Sequence, residues 1–414
     1  MKKSLVLMAM AGVALAGCVN DVAEVAQNEQ KKALISFQAP VLYDNTESRA
    51  NVFEEYNNTR LDFNGKSYPT TENFKVFSRV YTGTFGSWDD YESYWDPDSE
   101  GDEVAVEVTY DNEQNGWTFL NGAEIYYWPT NGQKLAFAAY SPADLAPLKK
   151  GSDTEKESIT NQKVSYTKEG FEISNFQVAD DPHHQFELLY SSRSLNNTAN
   201  DAGVYNGAKI KFKHALSSIH FALIKDVDVT EKIYLQSITV KNLYKTGTFK
   251  QQINEENQTA KPVWTTSGNN NAEYVTYQME TGKAGLEFPT TFPVHVDMLS
   301  DVINNDYSCP LLMIPQTLVP TTNEPVIEVV YRIGDEVDSE GKHFVNTITP
   351  ALKGRFGRDM MDDGKSVAVD AWLPGKKYTY VLHYSKGSQA KDQIYFAPEV
   401  SPWESVDQIY IELQ

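Results

Sequence analysis

Cysteine is nearly absent: 414 residues hold two, and the first of them, Cys18, closes a short apolar leader. With Cys18 committed there, Cys309 has no partner in the chain, so no intrachain disulfide can form and stability must come from buried apolar surface. Positive charge is also scarce. Thirty-six Lys and Arg face 57 Asp and Glu, a net charge of −21, and such a surface repels nucleic acid and anionic headgroups. Beyond the leader no stretch approaches the roughly 20 apolar residues of a membrane-spanning helix. Amphipathic helical patterns longer than three turns are missing, as are repeats at solenoid or propeller periods. There is no Gly-x-Ser-x-Gly element, no phosphate-cradling glycine loop and no paired-cysteine motif. Acidic pairs are too common in this chain for their spacing to single out a glycosidase-like carboxylate pair. No catalytic residue, metal ligand or cofactor site is therefore expected, and the chain does not read as an enzyme.

What is present begins with the leader. Lys2 and Lys3 precede an apolar run from Leu5 to Ala16, and Leu15-Ala16-Gly17-Cys18 follows the pattern of a bacterial lipobox. The spacing predicts a lipoprotein signal peptide over 1–17, with Cys18 taking a diacylglycerol on its thiol and a further acyl group, such as palmitate, on its new amine. Several acyl chains anchor firmly, since each buried methylene contributes roughly 0.8 kcal/mol. The other reading of the same residues is an ordinary signal peptide with an incidental cysteine. Residues 19–32 are polar and suit a tether.

Aromatic residues are abundant, with 24 Tyr, 19 Phe and 7 Trp, and apolar positions mostly alternate with polar ones. Val104, Val106 and Val108 alternate with Ala105, Glu107 and Thr109, and Ile210, Phe212 and His214 with Lys211 and Lys213. Residues 326–331 and 378–384 follow the same rule. Period-two segments bounded by Gly, Asn, Asp and Pro predict an all-β chain of antiparallel sandwiches. Its length suits two domains. The polar, turn-rich stretch 191–206 places their boundary, giving an N-terminal domain over 50–205 and a C-terminal one over 206–414. Residues 251–272 and 334–343 read as long surface loops.

The two ends of the fold share a pattern. In the first strand Ala33, Ile35, Phe37 and Ala39 share one face, with Ser36 and Gln38 on the other. In the last, Ile409, Ile411 and Leu413 alternate with Gln408, Tyr410, Glu412 and Gln414. Either could fill one kind of groove, and a strand donated by a neighbouring molecule is a known recognition mode. On pattern alone the simpler reading is two strands that pair within their own sheets. Between the first strand and the rest lies 43–50, polar and containing Arg49, which an arginine-directed protease could cut before Ala50. Residues 1–49 hold five bases and five acids, so the cut would leave the net charge of −21 unchanged.

A few groups invite chemistry. His214 and His220 fall on one face of a strand over 212–221, with Phe212, Leu216 and Ser218, but a metal needs a third ligand, and packing histidines explain the pair. Asp181-Pro-His-His-Gln185 reads as a polar turn. Residues 96–107, from Asp96, Asp98, Glu100 and Gly101 to Glu107, approach a calcium loop, but the closing Glu sits in a strand pattern instead of a helix. A solvated hairpin loop is the simpler reading. Trp88, Tyr91, Tyr94 and Trp95 suit either core packing or a sugar-stacking platform.

Further segments carry a resemblance. Tyr127-Trp-Pro129 is followed by Leu135-Ala-Phe-Ala-Ala-Tyr-Ser-Pro142, the run 212–221, Leu311-Leu-Met-Ile-Pro-Gln316, residues 372–380 and Val400-Ser-Pro-Trp403. With the lipobox and Ser48-Arg49-Ala50, their order over essentially the whole chain resembles the fimbrillin-like (Mfa-like) family of Bacteroidales type V pilus subunits. The resemblance implies tandem transthyretin-like β-sandwich domains, lipoprotein export to the cell outer membrane, and arginine-directed cleavage after the first strand. It also implies polymerisation with other fimbrial subunits, as homo- or heteropolymer, by donor-strand exchange into an extracellular fimbrium for adhesion. Carried over by residue, Cys18 is the lipidated position, 18–49 the lipidated tether with its removable first strand, and Arg49 the residue before the cut. Arg60 is a second candidate for the cut, Ile35 and Phe37 belong to the displaced strand, and Ile409, Ile411 and Leu413 to the donor strand. The alternative function is a monomeric outer-membrane surface lipoprotein that captures glycans or host proteins through its loops.

Overall fold

The computed structural model describes residues 35–37, 41–42, 72–81, 91–95, 104–113, 116–120, 126–129, 133–152, 154–167, 170–191, 194–197, 207–208, 210–253, 260–296, 307–308, 310–319, 323–337, 343–355, 368–385, 404–405 and 409–413. Over these residues the chain is all-β, built from several sheets in which most neighbours run antiparallel. Among the described residues no helix is long and apolar enough to cross a membrane.

The first sheet runs in the order Val41–Leu42, Lys211–His214, Leu189–Ser191, Leu135–Ser141, Phe74–Tyr81, Val106–Asp111 and Gly116–Phe119. Its central strand Leu135–Ser141 is buried at every residue, so it divides two cores instead of facing water. Leu135, Phe137 and Ala139 point into a smaller core with Phe74, Trp117 and Phe212. Ala136, Ala138 and Tyr140 point into the larger one, which continues through the rest of the molecule. Alternation explains this: with both faces of a strand covered, successive side chains serve opposite cores.

Three further sheets surround the larger core. One joins Lys163–Thr167 and Gly170–Gln177 to Thr246–Ile253 and Ala260–Ser267. A second is ordered Val294–His295, Ser217–Lys225, Lys376–Tyr384 and Glu404–Ser405, with Ile409–Leu413 also on Lys376–Tyr384. The third is ordered Tyr307–Ser308, Ala272–Gln278, Ile233–Leu243, Val326–Val337 and His343–Ile348. Strands from the two sides of residues 205–206 share sheets, since Lys211–His214 pairs with Leu189–Ser191 and Thr246–Ile253 with Gly170–Gln177.

Three local expectations are corrected. Much of 251–272 is not a loop but a hairpin arm, paired in register from Thr246 with Ser267 to Ile253 with Ala260. Polar side chains conceal it. Gln251 is fully buried, with Nε2 donating to the Ser191 carbonyl at 2.7 Å, and Trp264 donates from Nε1 to the Ala215 carbonyl at 2.7 Å. Residues 334–337 likewise extend the strand Val326–Val337, whose last residue pairs with His343, although Val337 stays 47% exposed. The run 212–221 is two strands, not one. Lys211–His214 belongs to the first sheet and Ser217–Lys225 to another, the change falling at Ala215 and Leu216. There the Ala215 amide donates to the Leu188 carbonyl at 2.9 Å, and the Leu216 carbonyl accepts from the Gly375 amide at 2.8 Å. His214 and His220 therefore lie in different sheets and do not share a face.

Candidate functional site: the slot held by the leading segment

The alternation of Ile35, Ser36 and Phe37 puts the two apolar side chains on one face, and the fold buries both while Ser36 stays half-buried. The segment fills a gap between two parts of the first sheet. On one side the Ile35 amide donates to the Tyr126 carbonyl at 2.9 Å and the Phe37 amide to the Trp117 carbonyl at 3.2 Å. On the other the Ala208 amide donates to the Ser36 carbonyl at 2.7 Å, and further along Val41 and Leu42 pair in parallel with Lys211 and Phe212. The segment thus ties the edge strand Gly116–Phe119 to the stretch leading into Lys211–His214, and so closes the first sheet on itself.

Aromatic packing fixes its depth. The Phe37 ring meets Phe74, Phe119 and Phe137 at centroid distances of 6.1, 5.8 and 6.0 Å, each near perpendicular. Such edge-to-face contacts set ring edges against negative faces and add to the gain from burial. A second layer backs this one. Trp95 lies 5.7 Å from Phe119 and 4.2 Å from Tyr126, and its Nε1 donates to the Val76 carbonyl at 3.0 Å, which satisfies the indole's one polar atom inside the core. Trp95 therefore packs the core and is not a surface platform. Burying Ile35 and Phe37 stabilises the closed sheet by roughly 1.5–3 kcal/mol each before ordering entropy is subtracted.

The terminal strand is held differently. Ile409–Leu413 runs parallel to Tyr380–Tyr384, with Ile409, Ile411 and Leu413 opposite Tyr380, Leu382 and Tyr384. Glu404 and Ser405 pair with Lys376 and Lys377 on the same strand. Among the described residues Ile409–Leu413 has this one partner strand. Cys18, Arg49, Ala50 and Arg60 lie outside the described residues, as do Ala33, Ala39, Trp88, Cys309 and residues 96–103.

The groups weighed for chemistry serve the scaffold. The His214 Nδ1 contacts the Glu187 Oε1, both residues buried, and the Ser218 hydroxyl lies 2.8 Å from the His220 Nε2. Among the described residues no three His, Cys, Asp or Glu side chains are grouped to hold a metal. His183 and His184 lie in a one-turn 3-10 helix, Pro182–His184, capped by Asp181, whose Oδ1 accepts from the His183 amide at 2.9 Å. Glu107, the last residue of the acidic stretch, accepts from the Asn73 Nδ2 at 2.7 Å. Burial pushes the Tyr378 phenol up to about 12 and that of Tyr331, beside Tyr384, also to about 12. Sequence reasoning did not find the receiving side of the slot. Phe119, Tyr126, Phe137 and Ala208 are scattered along the chain, and only the sheet topology brings them together.

A family model described as fimbrillin-like matches residues 78–403. No curated protein matches the chain. Among solved structures, a fimbrial protein from Bacteroides vulgatus is similar at 17% identity and a TM-score of 0.48, covering 86% of this chain and 96% of that one. A candidate cell adhesion protein from Bacteroides uniformis is similar at 11% identity and a TM-score of 0.42, covering 86% and 94% respectively. With its sequence matched from residue 78 to residue 403, most of its length, the chain belongs to the fimbrillin-like family.

Proposed function

We propose that the chain is a structural and adhesive subunit of a cell-surface fimbrium, exported as a lipoprotein and polymerised by exchange of its leading strand. Cys18 carries the lipid that holds the precursor on the outer membrane. Cleavage between Arg49 and Ala50 frees the segment containing Ile35 and Phe37, and the emptied slot accepts the strand Ile409–Leu413 of another subunit.

The observation that carries this reading is the double-sided seat of residues 35–37. The segment is hydrogen-bonded to Tyr126 and Trp117 on one side and to Ala208 on the other. Its loss leaves two open sheet edges and exposes the rings of Phe74, Phe119 and Phe137. Open edges and wet aromatic faces both favour capture of a replacement strand. Such a strand needs apolar side chains at every second position, as Ile409, Ile411 and Leu413 are spaced. Ile409–Leu413 pairs along one strand only among the described residues, so its release breaks one ladder instead of two.

Polymer formation by the intact chain, by Arg49→Ala and by a chain ending at Pro402 tests the scheme. Only the first should give filaments after treatment with an arginine-specific protease. Equal assembly by all three would sink it. The N-terminal residue of protein recovered from cells gives an independent reading: Ala50 is expected, and an acylated Cys18 in assembled filaments contradicts the cut.

A further inference from the structure

A cleft of about 630 Å3 opens at one end of the first sheet, apart from the slot and the terminal strand. Four separate parts of the chain form it: the start of Phe74–Tyr81, the neighbouring strand Val106–Asp111, the connection after Leu135–Ser141, and the turn before Leu189–Ser191. Its size lies within the range of small-ligand sites, about 300–1,000 Å3. Pro142, Ala146, Leu148 and Phe186 give its lining an apolar part. The same lining carries Glu72, Asn73, Glu107, Asp144, Lys156 and His183.

Most of these polar groups are set in place by bonds within the protein. Asp144 accepts from the Ala146 amide at 3.0 Å and from Lys156 Nζ at 2.5 Å, and Asn73 donates to Glu107 at 2.7 Å. Gln185 at the rear accepts from the Leu312 amide at 2.7 Å and donates to the Ala179 carbonyl at 3.2 Å. Glu72 is the exception. Among the described residues no donor is bonded to its carboxylate, and burial holds its pKa above the usual carboxylate value against the pull of Lys156. A half-buried carboxylate with no donor from the chain takes its hydrogen bonds from water, which a ligand hydroxyl can replace.

We propose that this cleft binds a short neutral oligosaccharide, whose hydroxyls donate to Glu72 and Glu107 and whose C–H face lies against Pro142, Leu148 and Phe186. The lining discriminates among ligands. Three carboxylates face one ammonium, Lys156, so sialylated or uronate sugars meet net repulsion. A bound metal ion needs several ligands converging on one point, and the described carboxylates and histidines do not converge. A neutral polyol supplies donors without added charge and covers the apolar part of the lining.

The test uses the full chain on an array of neutral, sialylated and uronate-bearing oligosaccharides, followed by calorimetric titration with the best neutral binder. Binding of neutral members alone is expected. It should weaken about tenfold or more in Glu72→Ala and in Glu107→Ala, the loss typical of a hydrogen bond to a charged group. Thermal melts establish that both variants are folded, and Glu72→Gln, which keeps the shape, serves where Glu72→Ala does not fold. A chain ending at Pro402 should bind as the parent does, which separates this site from assembly. The proposal is overturned if no neutral oligosaccharide is retained, if acidic ones bind equally well, or if folded variants bind like the parent. It is also overturned if a lysine-rich peptide or calcium alone, and no sugar, occupies the cleft with the same dependence on Glu72.

Discussion

The first and last described strands are both short and strongly alternating, yet the molecule holds them in contrasting ways. Residues 35–37 are inserted, with a partner on either side and a ring seated among three others. Among the described residues Ile409–Leu413 is appended, laid along a single strand. Insertion closes a sheet, and everything around the insert relies on it. Appending adds one ladder to the strand Lys376–Tyr384. Similar sequence patterns thus carry different energetic weight, because weight depends on how many neighbours a strand satisfies and not on its own composition.

The largest expected effect comes from removing each end in turn. A chain beginning at Ala50 forfeits roughly 3–6 kcal/mol from two buried side chains alone. Calorimetry should show a separate, early transition for the first sheet, whereas a chain ending at Pro402 should keep its main transition within a few degrees. Equal losses would erase the contrast. Next come point changes: Phe37→Ala should cost about 3–5 kcal/mol in urea unfolding of the intact chain. Ile411→Ala should cost only about 1 kcal/mol, near the centre of the general distribution. A smaller effect probes the layer behind the slot. Trp95→Phe keeps the ring but orphans the Val76 carbonyl, at about 1–3 kcal/mol.

The smallest effect touches the first sheet without touching the slot. Burial raises the pKa of Glu72 above 4.5, so the folded state holds that proton more tightly than the unfolded one. The resulting stability is fully present below the ordinary value of 4.5 and is lost as pH rises through the raised folded value. Glu72→Gln should therefore make the protein slightly more stable at neutral pH, with the advantage vanishing in acid. A variant that gains stability while losing sugar binding would mark Glu72 as kept for its ligand.

Much of this architecture was legible in the alternation. Ile35 and Phe37 were read as one face, and both are buried. Ile210, Phe212 and His214 likewise share a buried face. The family resemblance drawn from short motifs agrees with the match over residues 78–403. Hydropathy misled where polar side chains bond to backbone inside the protein. Gln251 and Trp264 do this, so their hairpin carries the polar pattern of a loop. It misled again at 212–221, where both faces are covered and the pattern cannot reveal that the chain changes sheets. The cleft was out of reach, since Glu72, Glu107, Asp144 and His183 come from four distant places with no common spacing.

That change of sheets at Ala215 and Leu216 bears on how the molecule carries tension. The leading segment lies parallel to the residues around Lys211–His214, which continue directly into Ser217–Lys225. Ser217–Lys225 lies parallel to Lys376–Tyr384, and that strand lies parallel to Ile409–Leu413. A pull applied at the slot and at the tail therefore travels through one covalent corner and three parallel ladders. Each ladder is loaded in shear, so its hydrogen bonds strain together instead of opening one after another like a zipper.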